Sequence, residues 1–142
     1  MAITAKDNWF ERVDEGGLKM QPYLIRYRER TPVLCAAICQ YPIAEHEAGE
    51  HDGFVIITGS VGGVMDIHDR RSVSLPGKLA QEWLSPATPK ESAKQMVLLL
   101  DESPEAFEWF KIDRAIGNVR NQGRALIKLT GQIQCGDYKG NG

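Results

Sequence analysis

The sequence predicts an α+β domain whose sheet is mainly antiparallel, with two or three short helices. Strand-like runs dominate the first half, short turns separate several of them, and both helical patterns lie after residue 75. Strands that follow one another through short turns pair antiparallel, and runs of strands and then helices are typical of the α+β class. We expect residues 1–130 to form a single domain, and residues 131–142, with four glycines, to be a disordered tail.

A β-hairpin is predicted near the start of the chain. Residues 9–13 have the pattern of a strand, and residues 14–17 form a turn whose two glycines tolerate positive φ. Residues 19–27 form the returning strand. Pro22, near the start of that strand, has no N–H group to donate to a neighbour and therefore favours a sheet edge.

Two apolar runs predict further strands. Residues 33–39 form a continuous apolar run, as in a central strand, and residues 54–58 form a second one. The polar residues 44–53 and the glycine-rich residues 59–63 are expected to be loops. Residues 108–119 mix the signals of strand and turn.

Two helices are predicted in the second half of the chain. Residues 76–84 begin with a proline, which suits the first turn of a helix. A second helix, capped by Thr88 or Ser92, is expected to end near Leu100. The apolar face of the first helix is predicted to contain Leu79, Trp83 and Leu84.

The charge of the chain is small overall but uneven. The net charge is −2, which is not that of a basic nucleic-acid-binding protein. Residues 111–128, however, contain five basic residues and one acid, a local net charge of 5 − 1 = +4. A polyanion can therefore bind locally without the whole protein being basic.

Composition also bears on location and on bound groups. The apolar runs are too short to span a bilayer, and charges interrupt any signal-peptide pattern at the start, so we expect a cytoplasmic protein, nucleoid-associated if bacterial. Residues 45–52 hold four acids with His46 and His51, but this spacing matches no recognised metal site. We expect no metal and no cofactor.

Three segments carry a family pattern in their order and spacing. The first is WFE at residues 9–11, followed by the hairpin and QPYLI at 21–25. The second is FVIIT at 54–58, followed by DIHDRR at 66–71, and the third is AIGNVRNQG at 115–123. Together they resemble the SOS-response-associated peptidase (SRAP) family over about residues 2–129.

The resemblance implies a barrel-like, SRAP-type fold and a DNA-damage function at abasic sites in single-stranded DNA. In that family a cysteine after the initiator methionine provides an amine and a thiol, which close a thiazolidine on the sugar aldehyde. This is a covalent protein–DNA linkage. A glutamate and a histidine assist, and they match Glu11 and His68, which are the candidate catalytic residues.

This sequence departs from the family pattern at several positions. Ala2 follows Met1, and the segment that carries the family's cysteine, asparagine and arginine has no counterpart before Trp9. Arg12 and Ser72 stand where the family usually has tryptophan and proline. We therefore expect that this chain does not form the thiazolidine as it stands. The family is named for peptidase (hydrolase) chemistry, and the sequence leaves open whether this chain is an enzyme.

Seven further residues are candidates for DNA contacts. Arginines pair with phosphates, aromatic rings stack on bases, and asparagine or threonine side chains bond to bases, sugars or phosphates. Each has a structural alternative: a solvated face for the arginines, a turn for the asparagine, the core for the tryptophan and a plain strand position for the threonine. The candidates are Trp9, Thr58, Arg70, Arg71, Arg114, Asn118 and Arg120.

The catalytic candidates also have structural alternatives. Glu11 suits an outward-facing strand position, and His68 suits a loop histidine bonded to local backbone. Two other functions fit the sequence. In the first, the chain is a single-stranded DNA-binding module without chemistry. In the second, it is a degenerate fragment that is stabilised by oligomerisation through exposed sheet edges.

Overall fold

The computed structural model describes residues 1–17, 20–40, 49–50, 52–59 and 71–135. They form two compact units. Unit 1 contains the described parts of residues 1–6, 33–59 and 71–102, and unit 2 contains those of residues 7–32 and 103–135. The single domain expected over residues 1–130 stays a prediction.

The elements confirm an α+β protein with mainly antiparallel sheets. The strands are β1 Ala2–Lys6, β2 Trp9–Asp14, β3 Met20–Tyr27, β4 Val33–Gln40, β5 Gly53–Ile56, β6 Thr58–Gly59, β7 Arg71–Ser72, β8 Phe107–Lys111 and β9 Gln134–Cys135. The helices are α1 Gly77–Leu84 and α2 Lys90–Leu99, with short 3₁₀ helices at Pro104–Ala106, Arg114–Gly117 and Arg124–Ile127. The described strands form three separate sheets and no closed barrel.

Unit 1 is built on the antiparallel sheet β1-β4-β5, beside the two-stranded ladder β6-β7. The apolar run 33–39 is its central strand, as predicted, and Cys35, Ala36 and Ala37 are fully buried there. Helix α1 packs against β1 and β4, and both helices contribute side chains to a common apolar core. That core consists of Ala36, Val73, Leu75, Ala80, Trp83, Ala93 and Met96.

Helix α1 begins at Gly77, so Pro76 is the residue before the helix and not part of its first turn as predicted, and the apolar face of the helix is narrower than expected. Ala80 and Trp83 are buried, whereas Leu84 is 50% exposed, so its assignment to the buried face is wrong. Residues three apart share a face of a helix, whereas Leu84 follows Trp83 by one position and is therefore turned about 100° away from it.

Helix α2 ends at Leu99, close to the predicted end. The predicted cap is wrong: Pro89 is the residue before the helix, and neither Thr88 nor Ser92 is in that position. The hydroxyl group of Thr88 instead donates to the carbonyl oxygen of Glu82 at 2.6 Å, which ties the end of α1 to the turn before α2.

Replacing Trp83 with Phe should lower the free energy of unfolding by about 1 kcal/mol, the usual contribution of one hydrogen bond, because the carbonyl oxygen of the half-buried Ala2 loses its donor. Trp83 is 3% exposed, and its Nε1 donates to the carbonyl oxygen of Ala2 at 2.8 Å. Urea denaturation at constant m value measures the change. The matched variant is Trp109→Phe. Nε1 of Trp109 donates to the side chain of Gln134, which is exposed, so water replaces the lost hydrogen bond there. Equal costs for the two variants would contradict this account.

Unit 2 contains the four-stranded sheet β2-β3-β8-β9. The predicted hairpin is present, and Gly16 has a φ of 81° in its turn. The edge position predicted for the strand with Pro22 is wrong, because β3 lies between β2 and β8. Pro22 is tolerated there because its carbonyl oxygen accepts from Ile112 just beyond the end of β8. The N–H and C=O groups of one residue in an antiparallel strand point to the same side, so an N–H group at position 22 would also point just beyond the end of β8. Its absence therefore removes no bond from the β3–β8 ladder.

Strand β2 divides its side chains between the two faces of this sheet. Trp9 and Glu11 share one face, and Phe10 and Arg12 share the other, because successive side chains alternate. The first face is aromatic and also contains Tyr23, Tyr27, Phe107 and Trp109. The second has a small core of Leu24, Phe110 and Ile112, against which Ile116 and Ile127 of two 3₁₀ helices pack.

Strand β9 lies within the stretch expected to be a tail and pairs with β8. Residues 136–142 lie outside the described residues, and their predicted disorder stays a prediction. In the part of the chain that is described, no helix is long and apolar enough to cross a membrane.

Candidate functional site

Glu11 lies in the middle of β2 on the aromatic face of unit 2. It is half-buried, whereas its neighbour Phe10 is exposed. Across the sheet it is opposite Tyr23 of β3, and Tyr23 is opposite Lys111 of β8, so the three residues form one row. The structure therefore gives this carboxylate a position beside aromatic rings and a tyrosine, which suits general acid/base chemistry.

A polar cluster at the end of that row was not predicted from the sequence. The Tyr23 hydroxyl donates to Glu15, a residue of the hairpin turn. Lys111 Nζ donates to the same carboxylate at 2.9 Å and lies 5.7 Å from the centroid of the Tyr23 ring. Hairpin register alone is enough to place Tyr23 opposite Glu11, but the approach of Lys111 depends on long-range pairing of β3 with β8.

These contacts change the protonation of all three groups. The hydrogen bond from Lys111, followed by that from Tyr23, lowers the pKa of Glu15 from its ordinary 4.5. Burial, followed by the bond to Glu15, raises the pKa of Tyr23 above 10.0. The bond to Glu15 raises the pKa of Lys111 above 10.5. Lys111 is therefore a cation at neutral pH and not an amine nucleophile.

The Glu15 carboxyl should titrate below 4.5, because Lys111 and Tyr23 donate to its charged form. The stability that Glu15 contributes is thus present above 4.5 and lost as the pH falls through its folded-state pKa. NMR titration of the Glu15 side-chain carboxyl carbon measures the midpoint. Lys111→Met should move that midpoint up towards 4.5, while Lys128→Met, which removes a more distant exposed lysine, should leave it in place. An identical midpoint in the wild type and Lys111→Met would contradict the assignment.

Trp9 belongs to the packed side of the sheet. It is half-buried, and its ring meets Phe107 edge-on with the ring centroids 5.6 Å apart. Of the two alternatives for Trp9, the structure favours the core over base stacking. The aromatic ring that β2 presents outward is that of Phe10, which is 38% exposed.

The basic segment of unit 2 is held in shape by its own turns. Asp113 caps the 3₁₀ helix Arg114–Gly117 by accepting from the backbone N–H of Ala115 at 2.8 Å. Asn118 Oδ1 accepts from the N–H of Arg120 at 3.0 Å, and Asn121 donates to the carbonyl oxygen of Ala115 at 2.9 Å. Asn118 therefore holds a turn, and the exposed Arg114 and Arg120 are presented by an ordered backbone.

Two further candidates lie in unit 1. The Arg71 guanidinium pairs with Asp101 at 2.9 Å and also donates to the carbonyl oxygen of Glu102, and its side chain is only 9% exposed. This contact favours a structural role for Arg71 over a phosphate contact. Thr58 is exposed and pairs with Ser72 across β6 and β7.

His68 and Arg70 lie outside the described residues, between β6 and β7. The residues that flank this segment, Gly59 and Arg71, are direct partners in the β6–β7 ladder. His46 and His51 also lie outside the described residues. Within the described ranges, no group of three or more His, Cys, Asp and Glu side chains is placed to hold a metal ion.

The fold and the three motifs identify the class of protein. The sequence model of the family described as SOS response associated peptidase (SRAP) matches residues 2–119, so this chain belongs to the SRAP family. It is 36% identical over 128 residues to the abasic site processing protein YedK of Escherichia coli (strain K12). That match covers 89% of this chain and 56% of the E. coli protein.

Two solved structures are similar as well. The crystal structure of a phage-related protein from Bordetella bronchiseptica matches with a TM-score of 0.66 and 34% identity, over 79% of this chain and 53% of that one. A protein from Bacteroides thetaiotaomicron matches with a TM-score of 0.71 at 22% identity, over 89% of this chain and 55% of that one, and shows the fold alone. This chain therefore spans about half the length of the relatives that it matches.

Proposed function

We propose that this chain binds single-stranded DNA and takes part in the recognition of abasic sites during a DNA-damage response. Family membership and the printed name of the E. coli relative support this proposal. The observation that carries it is the ordered, exposed basic segment on the sheet that also holds Glu11.

The basic segment is positioned by packing. Ile116 and Ile127 pack against Leu24, Phe110 and Ile112, so both 3₁₀ helices are fixed to the sheet. Asp113 is the one acid among residues 111–128, and its side chain is occupied by the cap at Ala115. The exposed arginines of this fixed segment, Arg114, Arg120 and Arg124, attract a phosphate backbone without the entropic cost of ordering a loop.

In this proposal, Glu11 and His68 assist the chemistry at the abasic sugar. Opening an abasic sugar to its aldehyde needs one proton removed from the hydroxyl group and one delivered to the ring oxygen. A carboxylate and an imidazole are side-chain groups that can carry out such proton transfers. Thr58 and Arg120 are proposed DNA contacts. The peptidase or hydrolase activity in the family's name stays a prediction for this chain.

Binding of single-stranded DNA should weaken steeply with salt. In this experiment the 142-residue chain is titrated against a fluorescein-labelled oligonucleotide of about 16 nucleotides, the upper end of single-strand site sizes, and anisotropy is measured at several salt concentrations. Log K should fall linearly with log [salt], by about 0.7 for each phosphate contact.

Arg120→Gln should lower that slope by about 0.7 if Arg120 contacts a phosphate. Lys78→Gln is the control, because Lys78 is an exposed cation on α1 of unit 1 and outside the basic segment. Binding that does not respond to salt, or no binding at all, would reject the proposed function.

A second proposal concerns association between copies of this chain. Of the strands that the structure describes, β5 is at the edge of its sheet, and Phe54 and Val55 are 60% and 71% exposed there. An apolar edge strand is a template for pairing with another chain. Light scattering over a concentration series should show a dimer that Val55→Lys disrupts. A monomer at every concentration would contradict this proposal.

A further inference from the structure

A shallow depression on unit 2 brings together two arginines from distant parts of the sequence. It has a volume of about 270 Å³ and is lined by Arg12, Met20, Pro22, Arg114 and Gly117. We propose that Arg12 and Arg114 form a subsite for one phosphodiester group of single-stranded DNA, on the face of the sheet opposite Glu11. This inference rests on the proposed function and adds Arg12 to the residues that contact DNA.

Arg12 is held over the depression by a specific backbone contact. Its Nη2 donates to the carbonyl oxygen of Gly117 at 3.3 Å, which uses one of the five donors of a guanidinium. Its Cζ lies 6.0 Å from the centroid of the Phe10 ring on the same face. The guanidinium is thus oriented before a ligand arrives, which reduces the entropy lost on binding.

Gly117 is the residue that permits this approach. A Cβ atom at position 117 would lie 3.2 Å from Nη2 of Arg12, which is closer than an ordinary van der Waals contact. The same glycine ends the 3₁₀ helix that begins with Arg114. The 3₁₀ helix Arg114–Gly117 therefore positions both arginines. Arg114 is its first residue, and Gly117, its last residue, leaves space for the side chain of Arg12.

The size and charge of the depression favour a phosphate group. Its volume is below the range of about 300–1,000 Å³ usual for sites that enclose a drug-sized molecule. Two guanidinium groups match the oxygens of a phosphate, and the exposed ring of Phe10, 6.0 Å from Cζ of Arg12, is available to stack on a base. A phosphate linked to a base satisfies all three groups, whereas a lone carboxylate leaves the ring unused.

The acidic side chains of the neighbouring hairpin turn are already engaged. Asp14 accepts from the N–H groups of Gly16 and Gly17 at 2.9 and 3.1 Å. Glu15, whose charge Arg114 also stabilises, accepts from Lys111 and Tyr23. These partners offset the negative charge of the turn.

The position of β2 determines how DNA reaches both faces. Among the described strands, β2 lies at the edge of its sheet, and the adjacent residues Glu11 and Arg12 project to opposite faces. A DNA strand that contacts both must cross this edge. The phosphate bound by Arg12 therefore belongs to a nucleotide next to, or close to, the one whose sugar meets Glu11.

Salt-dependent binding of the same labelled oligonucleotide tests the subsite. The double variant Arg12→Gln/Arg114→Gln should lower the slope of log K against log [salt] by about 0.7, the value for one lost phosphate contact, which is about a fivefold loss of affinity at 0.1 M salt. Because both arginines hold the same phosphate, neither single variant should lower the slope by more than the double variant does. Arg12→Lys, which keeps the charge, should keep the slope.

Arg28→Gln is the matched control. Arg28 is an exposed arginine of unit 2 that donates to one backbone carbonyl, that of Glu105, at 3.4 Å, and its loss should leave the slope unchanged. Circular dichroism checks that each variant is folded. A wild-type slope in the double variant, or a loss of about 1.4 in it, would overturn the subsite while leaving the proposed function intact. No binding by the wild type would reject both.

Discussion

Replacing Asp101 with Asn should lower the free energy of unfolding by about 3–5 kcal/mol, the usual result of removing one partner of a buried ion pair. The side chains of Arg71 and Asp101 are only 9% and 8% exposed. Oδ1 of Asp101 also accepts from the N–H groups of Ser74 and Glu102, at 2.7 and 2.9 Å. Asparagine keeps an acceptor for these N–H groups but removes the negative charge of Asp101 that faces the Arg71 guanidinium.

Urea denaturation of the two proteins measures this loss. Arg30→Gln is the control, because Arg30 is 63% exposed and its contact with Glu108 is 3.7 Å long, so its removal should cost less than about 1 kcal/mol. An Asp101→Asn protein as stable as the control variant would show that the pair does not hold unit 1 together.

Replacing Phe107 with Ala should cost about 3–5 kcal/mol, as expected for removal of a fully buried aromatic side chain. Phe107 is 0% exposed and packs against two rings of the aromatic face. The centroid of the Tyr27 ring is 4.9 Å away, and that of Trp9 is 5.6 Å away. The cavity left by alanine removes the support of Trp9, two residues from Glu11.

Phe10→Ala is the matched control for this prediction. It removes the same side chain from the opposite, exposed face of β2, where the cost should be about 1 kcal/mol or less. Phe10→Ala should instead weaken DNA binding, since Phe10 is the ring available for stacking. Equal losses of stability in the two variants would contradict the assignment of the two faces.

Features that depend on local sequence were predictable. The hairpin of residues 9–27 follows from two strand-forming runs and turn glycines, one of which has positive φ as expected. The ends of α1 follow from Pro76 and from the residues after Leu84. The central position of β4 follows from its continuous apolar run.

Features that depend on long-range pairing were not. Pro22 indicated an edge strand, because proline has no N–H group to donate to a neighbouring strand. The sequence does not show that the β3–β8 ladder ends at Tyr23 and Lys111, so that Pro22 lies just beyond it. The cluster of Glu15, Tyr23 and Lys111 joins residues up to 96 positions apart. Local pattern carries no information about such contacts, and this is why the cluster was missed.

The candidate site was predicted as a set of residue types rather than as an arrangement. Glu11 and Arg114 are in positions that suit their expected roles, whereas Trp9, Arg71 and Asn118 have contacts that favour structural ones. Burial of an arginine beside a distant aspartate cannot be inferred from an arginine-rich motif. Arg12 was noted as a departure from the family pattern, and the structure shows what it contacts.

The central claim is that this chain recognises single-stranded DNA at abasic sites, and a competition assay tests it most directly. The chain is bound to a labelled single-stranded oligonucleotide. Unlabelled competitors of the same length are then added, with one aldehydic abasic site, with no abasic site, or as an intact duplex. The account predicts that the abasic single strand competes best and the duplex worst. Equal competition by the abasic and intact single strands, or stronger competition by the duplex, would contradict it.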